Sequence, residues 1–219
     1  MKKIAVIGSI NMDMTVKTER VPGKGETIFG RDLRYIPGGK GANQAVAAAR
    51  LGGYVTMFGC VGEDSFGESL LNNLKEQGIR IEHVRKIPGV TSGLAMITVT
   101  ENDNMIVVVP GANGFVTVEY LETVKEEILE HDIILLQNEI PKETVHYAIE
   151  ICHKAGKTVI YNPAPAHLLE EELIQKVSYL TPNEHEVMIV IGDSTVRQSD
   201  CLDKLIENTK PSAMLGRME

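Results

Sequence analysis

Aromatic residues and cysteines are scarce in this sequence. It has no tryptophan, four phenylalanines, six tyrosines and three cysteines in 219 residues. The cysteines, Cys60, Cys152 and Cys201, stand alone without a Cys-x-x-Cys pair, which argues against a cysteine-based zinc site or a disulfide framework. We therefore expect reduced thiols in the core of a cytoplasmic protein.

Long hydrophobic runs and an excess of positive charge are also missing. The apolar stretch Ile4–Ile7 is too short for a signal-peptide core, and no run approaches the roughly 20 apolar residues of a membrane span. The formal net charge of −8 leaves no basic surface for nucleic acid or for an anionic membrane. The composition thus predicts no nucleic-acid or membrane partner, although backbone donors and Mg²⁺ can still hold a nucleotide.

The most informative segment is a glycine turn that leads into an alanine-rich helix. It reads PGGKGANQA over residues 37–45 and continues as VAAARLG to Gly52. Three glycines within four positions let the backbone bend sharply and let a ligand approach the main chain. We expect the alanine-rich helix to lie inside the protein, with its N-terminus, Lys40 and Asn43 offering donors to hydroxyls or an anion.

This segment matches neither of the common phosphate-binding motifs. A P-loop requires Ser or Thr after Gly-Lys, where the chain has Gly41. The dinucleotide fingerprint requires a third glycine, where the chain has Gln44. The glycine turn therefore indicates a ligand site of another kind.

Strand and helix patterns alternate along most of the chain. The short apolar strand Lys3–Gly8 is of the kind that is buried on both sides of a parallel sheet. A helical pattern over 66–77 stops at Gly78, and later segments at 133–137, 142–155, 158–161, 168–176 and 177–181 read strand, helix, strand, helix, strand. This repeat is typical of a doubly wound sheet.

Two stretches, at about 15–36 and 92–110, have strand patterns without helices. The first contains apolar runs at 27–29 and 33–36. The second contains Ala95–Thr100 and Met105–Val109 around an Asn/Asp-rich turn, which is a hairpin signal. Periodicity alone leaves two alternatives open, a separate small sheet or an antiparallel extension of the main sheet.

Four segments in order give the chain its resemblance to a known family. They are GSINMD at 8–13, GGKGANQA at 38–45 with Gly52 and Gly62, NPAPA at 162–166 and TPNEHE at 181–186. Over about residues 2–191 the chain resembles the ribokinase branch of the PfkB carbohydrate kinases. The resemblance implies one ribokinase-like α/β domain over 1–219, with a doubly wound, mostly parallel sheet, helices on both faces, and the two inserted stretches forming a small β lid.

The same resemblance implies a function. Members phosphorylate a pentose with ATP, here D-ribose to D-ribose 5-phosphate, and use Mg²⁺ and a monovalent cation such as K⁺. The lid covers the sugar and often forms the interface of a homodimer. Two alternatives stay open, another sugar or nucleoside kinase of the family and a sugar-binding or dimerising module without catalysis.

Sugar hydroxyls both donate and accept hydrogen bonds, so a selective pocket combines carboxylate acceptors with amide and ammonium donors. By the resemblance, Asp13 accepts from two hydroxyls, and four groups donate around the ring: Asn11, the Gly39 backbone, Lys40 and Asn43. From the sequence alone, Asp13 is equally well a turn or cap residue. Glu139 resembles a further hydroxyl-binding residue, and it follows a strand at the edge where open α/β sheets bind ligands.

Asn183 and Glu186 begin a helix after Pro182. The resemblance assigns this Asn-x-x-Glu pair to ATP phosphates, with Glu186 acting on Mg²⁺ through water, as suits a hard cation that keeps several waters. The alternative is a helix cap, with Asn183 at the N-cap and Glu186 completing a capping box. The six histidines show no metal-ligand spacing.

The second signature of the family, of the type Asp-Thr-x-Gly-Ala-Gly-Asp, has no match in the 219 residues. In the family its last Asp is the catalytic base, and its glycine turn forms an anion hole. We therefore assign no catalytic residue. We expect a ribokinase-like fold whose C-terminal part is missing, with a helix over 199–208 that delivers no further strand, and a chain that is inactive alone.

Overall fold

The computed structural model describes residues 2–101 and 103–191. The strands are β1 (Lys3–Ile7), β2 (Asn11–Lys17), β3 (Arg31–Gly38), β4 (Tyr54–Gly62), β5 (Arg80–Ile87), β6 (Gly93–Val99), β7 (Asn104–Val109), β8 (Ile133–Leu136), β9 (Thr158–Tyr161) and β10 (Tyr179–Leu180). The helices are α1 (Lys40–Arg50), α2 (Ser65–Glu76), α3 (Val118–Thr123), α4 (Lys125–Leu129), α5 (Lys142–Lys154), α6 (Glu171–Ile174) and α7 (Glu184–Ile191), with a 3₁₀ turn at Gly111–Phe115. The expected helix at 199–208 and Cys201 lie outside the described residues.

A six-stranded parallel sheet in the order β10-β9-β8-β1-β4-β5 forms the centre of the molecule. Side chains of β1 alternate between its two faces because successive residues of a strand point to opposite sides. Val6 belongs to the same apolar cluster as Ala45 of α1 and Leu70 of α2, whereas Ile7 belongs to a second cluster with Leu121 of α3. The doubly wound α/β fold with helices on both faces is therefore confirmed.

The strands of the two inserted stretches form a second sheet in the order β3-β2-β6-β7. β2 pairs antiparallel with β3 and parallel with β6, and β6 and β7 form the expected hairpin. The main sheet is thus not extended by these strands. The apolar run at 27–29 does not form a strand, and Phe29 within it is fully exposed.

Three expectations about element bounds were wrong. The family resemblance implies that segment 8–13 is the end of the first strand, but β1 stops at Ile7, and Asn11 begins β2, where its backbone pairs with Gly38 and Gly93. The expected helix over 168–176 is reduced to α6, because the chain before it runs extended and the Leu169 amide bonds to the carbonyl of Val190. Of the strand expected at 177–181, only β10 forms.

The alanine-rich helix α1 is a surface helix with one buried face. Gly41, Ala42 and Ala45 are buried against the main sheet, while Asn43 and Ala47 are exposed. The expectation that α1 lies wholly inside was therefore wrong, because alanine tolerates exposure at little cost. The helix α2 ends as predicted, with Gly78 at φ 76° just beyond it.

The two cysteines within the described part of the chain, Cys60 and Cys152, are free and buried. Burial raises the pKa of the Cys60 thiol to about 11 and that of Cys152 to about 12. Both thiols therefore stay protonated at neutral pH and act as small apolar groups. Within the described ranges, no helix combines the length and apolarity that crossing a membrane requires.

Candidate functional site

The segment between β1 and β2 carries the chain from the main sheet into the second sheet. Asn11 at the start of β2 pairs with Gly38 at the end of β3 and with Gly93 at the start of β6. β1 and β8 are neighbours in the main sheet, and their carboxyl ends, Ile7 and Leu136, are matched in register. Because open α/β sheets bind ligands at the carboxyl ends of their strands, this junction is the candidate site.

Glu139 holds the first turn of α1 at this junction. Its Oε2 accepts a hydrogen bond from the Ser9 hydroxyl at 2.5 Å and one from the backbone N–H of Lys40 at 3.0 Å. The Ser9 hydroxyl oxygen in turn accepts from the N–H of Gly41 at 3.2 Å. Amide groups in the first turn of a helix lack helical partners. Glu139 accepts from the N–H of Lys40, Ser9 accepts from that of Gly41, and the negative charge of Glu139 suits the positive end of the helix.

Two glycines allow this close approach. A Cβ on Gly41 would lie 2.7 Å from the Ser9 nitrogen and 2.8 Å from the Gly8 carbonyl carbon. Gly39 has φ 90°, and a Cβ there would lie 2.8 Å from the Asn11 nitrogen. Glycine is therefore required at Gly41 because of the close contact, and at Gly39 because of both the close contact and the positive φ.

Asp13 is half-buried within β2, two residues beyond Asn11. Its carboxylate rests on Gly38, where a Cβ would lie 2.2 Å from Oδ2. Burial, and secondly the negative charge of Glu139, raise the pKa of Asp13 above its ordinary value of 3.8. Within residues 2–101 and 103–191 Asp13 has no cationic partner. The site thus presents two carboxylates to whatever binds there, which suits a ligand rich in hydrogen-bond donors.

Asn113 is a site residue that the sequence analysis missed. Its Oδ1 accepts from the backbone N–H of Ile10 at 2.9 Å, and its Nδ2 donates to Oδ1 of Asn11 at 2.6 Å. Both asparagine side chains are buried. The only available signal was a polar residue in the Gly-rich turn after β7, since the contact joins residues about a hundred positions apart.

A cavity of about 360 Å³ opens beside these residues. Its walls combine amide and carboxylate groups with apolar side chains, including Asn11, Val108, Asn113, Asn138, Glu139 and Ile140. Such a mixture suits a small ligand that has both hydroxyl groups and C–H faces.

The NPAPA segment supports one wall of this cavity. Nδ2 of Asn138 donates to the carbonyl of Pro165 at 3.0 Å and lies 3.2 Å from Nδ1 of His167. Its Oδ1 accepts from the Tyr161 hydroxyl at 2.5 Å. The segment therefore positions Asn138, which the sequence analysis also missed.

The structure brings some of the predicted sugar-site residues together at the 360 Å³ cavity and leaves Asp13, Lys40 and Asn43 outside its lining. Asn11 and Glu139 line the cavity, and the backbone of Gly39 contacts Asn11. Lys40 engages Glu139 through its backbone rather than its side chain. Asn43 lines a second cavity of about 270 Å³, between β3, α1 and α2.

Asn183 and Glu186 form the capping box. Oδ1 of Asn183 accepts from the N–H of Glu186 at 2.8 Å and from that of His185 at 3.0 Å. Oε2 of Glu186 accepts from the N–H of Asn183 at 2.9 Å. The capping interaction is therefore present, and the phosphate and Mg²⁺ roles of the pair stay predictions. In the part of the chain that the structure describes, no three His, Cys, Asp or Glu residues are grouped to hold a metal ion.

The model of the pfkB family of carbohydrate kinases matches residues 1–211. The chain therefore belongs to the pfkB carbohydrate kinase family.

Its relatives within the family include ribokinases. The ribokinase of Lactococcus lactis is 50% identical over 187 residues, which cover 85% of this chain and 62% of that protein. The ribokinase structure from Thermotoga maritima matches with a TM-score of 0.82 and 34% identity, over 95% of this chain and 69% of the other. The Arabidopsis thaliana ribokinase complexed with ribose and ATP matches with a TM-score of 0.81 and 29% identity, over 98% and 71%.

These relatives confirm the resemblance to the ribokinase branch. The chain spans about 62% of the length of its Lactococcus relative.

Proposed function

We propose that the chain forms the sugar-binding part of a cytoplasmic ATP-dependent ribose kinase, which converts D-ribose to D-ribose 5-phosphate. The observation that carries this proposal is the placement of two carboxylates: Glu139 lines the cavity at the carboxyl edge of the sheet, and Asp13 lies near enough for the charge of Glu139 to raise its pKa. A sugar offers several hydroxyl protons to such a pair. The ribose named in the Arabidopsis relative's complex supports the choice of sugar.

Each polar group has a role in this proposal. The Asp13 carboxylate and the second oxygen of Glu139 accept from sugar hydroxyls, while Asn11 and the Gly39 backbone donate. The Lys40 and Asn43 side chains complete the donor set when the sugar is bound. Asn43 now lies in the second cavity, so this role requires the two cavities to be continuous or its side chain to move.

ATP and Mg²⁺ belong to the proposal as well, together with a monovalent cation. One carboxylate oxygen of Glu186 is not used in the capping box, so it remains able to bind water of a hydrated Mg²⁺. In a ribose kinase, Mg²⁺ supplies charge stabilisation to the phosphates. Asn183 fixes the start of α7, whose N-terminal amides would face those phosphates.

The proposal is tested by calorimetry and a coupled assay on the 219-residue polypeptide. We expect weak but measurable binding of D-ribose, and no ADP release at an ordinary kinase rate of about 1–100 s⁻¹, because the base and anion hole of the second signature are not among its residues. D-fructose and inosine, titrated in parallel, test the other sugar and nucleoside kinase activities. Turnover at that rate would contradict our placement of the catalytic groups, and tighter binding of inosine or fructose would replace ribose as the substrate.

A homodimer through the second sheet, acting as a lid, is the second part of the proposal. β7 is an outer strand of that sheet, and the five apolar residues Met105–Val109 are all exposed. An exposed apolar edge strand promotes association with another chain. We therefore propose that β7 contributes to the contact between two copies.

Charges on this strand should dissociate the dimer. Met105→Lys with Val107→Lys places two ammonium groups on residues that do not line the sugar cavity. Burying unpaired charges costs several kcal/mol each, so light scattering is expected to show a dimer or larger species for the wild type and a monomer for the variant. Leu168→Lys, at an exposed apolar residue outside this sheet, is the control. A wild-type monomer at high concentration, or a variant of unchanged size, would refute the lid contact.

A further inference from the structure

We propose that Asn113 is a positioning residue that orients the amide of Asn11, so that Asn11 presents its donor group, Nδ2, to a ligand in the 360 Å³ cavity. This inference rests on the proposed sugar site. It adds a residue that selects which hydroxyl is required for binding.

The orientation follows from a backbone group that cannot change its role. The N–H of Ile10 is always a donor, so the atom of Asn113 that faces it at 2.9 Å must be the amide oxygen. The other atom of the Asn113 amide is then the nitrogen, and it lies 2.6 Å from Asn11. A nitrogen donor requires an acceptor, so Asn11 must turn its oxygen toward Asn113. Asn and Gln amides are ordinarily ambiguous, and this chain of contacts removes the ambiguity for both residues.

The packing leaves no alternative arrangement at this point. Asn113 is 1% exposed and Asn11 is 2% exposed. A Cβ on Gly93 would lie 2.2 Å from both Oδ1 of Asn11 and Nδ2 of Asn113. The pair therefore fits only because residue 93 has no side chain, and water cannot easily replace either partner.

The consequence for the ligand is a defined polarity. Within the described ranges, Nδ2 of Asn11 has no hydrogen-bond partner, and Asn11 lines the cavity. A group beside it must therefore accept. A hydroxyl can accept from Asn11 and donate its own hydrogen bond to a carboxylate such as Glu139, which lines the same cavity, whereas a C–H group at the same position leaves both unpaired. The site should therefore reject the deoxy sugar that lacks this one hydroxyl.

The substitution Asn113→Asp inverts this polarity with almost no change of size. One carboxylate oxygen still accepts from Ile10, but the other now faces Asn11 and can only accept. Asn11 must rotate to donate to it, and then presents its oxygen to the cavity that the Glu139 carboxylate already lines. Asn72→Asp, on the exposed side of α2, adds the same charge elsewhere and is the matched control.

Calorimetry with D-ribose and its 1-, 2-, 3- and 5-deoxy analogues measures the effect. In the wild type, we expect removal of one hydroxyl to weaken binding about 10-fold or more. In Asn113→Asp, we expect ribose affinity to fall about 10- to 100-fold and loss of that same hydroxyl to have little further effect. Asn72→Asp should keep the wild-type profile. An equal weakening for ribose and all analogues would show that Asn113 is merely structural and would overturn the inference.

A second measurement on the unmodified protein needs neither a variant nor a sugar. Hydrogen exchange of side-chain amides by NMR should show slower exchange at Nδ2 of Asn113 than at Nδ2 of Asn11. The reverse order would overturn the inference even if Asn113→Asp fails to fold. Failure of the wild type to bind ribose would instead contradict the proposed function, and the exchange order would still decide the orientation.

Discussion

Asp13→Asn is expected to remove ribose binding while leaving the protein at least as stable as the wild type. The carboxylate is half-buried, rests on Gly38, and has its pKa raised by burial and then by the charge of Glu139. Ionised Asp13 therefore opposes folding at neutral pH. Asparagine has nearly the same shape without the charge, so the unfavourable electrostatic contribution disappears with the acceptor that the sugar requires.

The sign of the pH dependence follows from the raised pKa. Stability contributed by protonated Asp13 is fully present below its ordinary pKa of 3.8 and is lost as pH rises through the higher value in the folded protein. The variant lacks this titration. Its advantage in melting temperature should therefore be largest at neutral pH and should shrink as the pH falls toward 3.8.

Calorimetry and thermal melts measure the two effects. Loss of charge-assisted bonds to two hydroxyls should cost about 2–5 kcal/mol, which is a 30-fold or greater loss of affinity. Asp103→Asn, in the exposed turn between β6 and β7, is the matched control and should change neither quantity. Equal ribose affinity in Asp13→Asn and the wild type would remove Asp13 from the site, and a large drop in melting temperature would contradict its electrostatic cost.

The sequence pattern predicted those secondary-structure elements that are determined by neighbouring residues. The β6–β7 hairpin follows from two apolar runs around a polar turn, and the end of α2 follows from Gly78. The start of β2 did not follow from pattern. Apolar residues occur on both sides of Gly8 and Ser9, and β2 begins at Asn11 because its backbone pairs with Gly38 and Gly93, which come from distant parts of the chain.

In the candidate site, too, features set by neighbouring residues were predicted, and contacts between distant residues were not. Glycine spacing indicated a ligand turn at residues 38–41, and the family resemblance singled out Glu139. Neither indicated that Glu139 caps the first turn of α1 together with Ser9. The role of Asn113 could not be predicted for a similar reason, since the sequence around one asparagine in a turn does not indicate which distant residue it will contact. Polar groups acquire such roles only when the topology brings them together.

The contact between α1 and the end of β1 makes Gly41 the most sensitive position of the site. By helix propensity alone, Gly→Ala within a helix should stabilise by about 1 kcal/mol. At Gly41 the new methyl would lie 2.7–2.8 Å from Ser9 and Gly8 backbone atoms, which cannot rotate away as a flexible side chain could. The start of α1 must therefore move away from β1.

This movement breaks several hydrogen bonds at once. The Ser9 hydroxyl loses the N–H of Gly41, the Ser9 carbonyl loses the N–H of Ala42 at 2.9 Å, and Glu139 loses the N–H of Lys40. Overpacking and the lost bonds together should lower the free energy of unfolding by about 2–4 kcal/mol. Ribose binding should also be lost, because the backbone donors at the start of α1 move.

Urea unfolding of Gly41→Ala, with Gly114→Ala as the control for stability, tests this prediction. No atom lies within 4 Å of the Cβ that Gly114→Ala would add, so the control should unfold at the wild-type midpoint. Glycine-to-alanine substitution is common to both variants, so the difference between them isolates the contact with β1. A Gly41→Ala protein that is as stable as the wild type would mean that α1 is not held against Ser9. In that case Glu139 would be free of its capping contacts, and both of its oxygens would be open to the ligand.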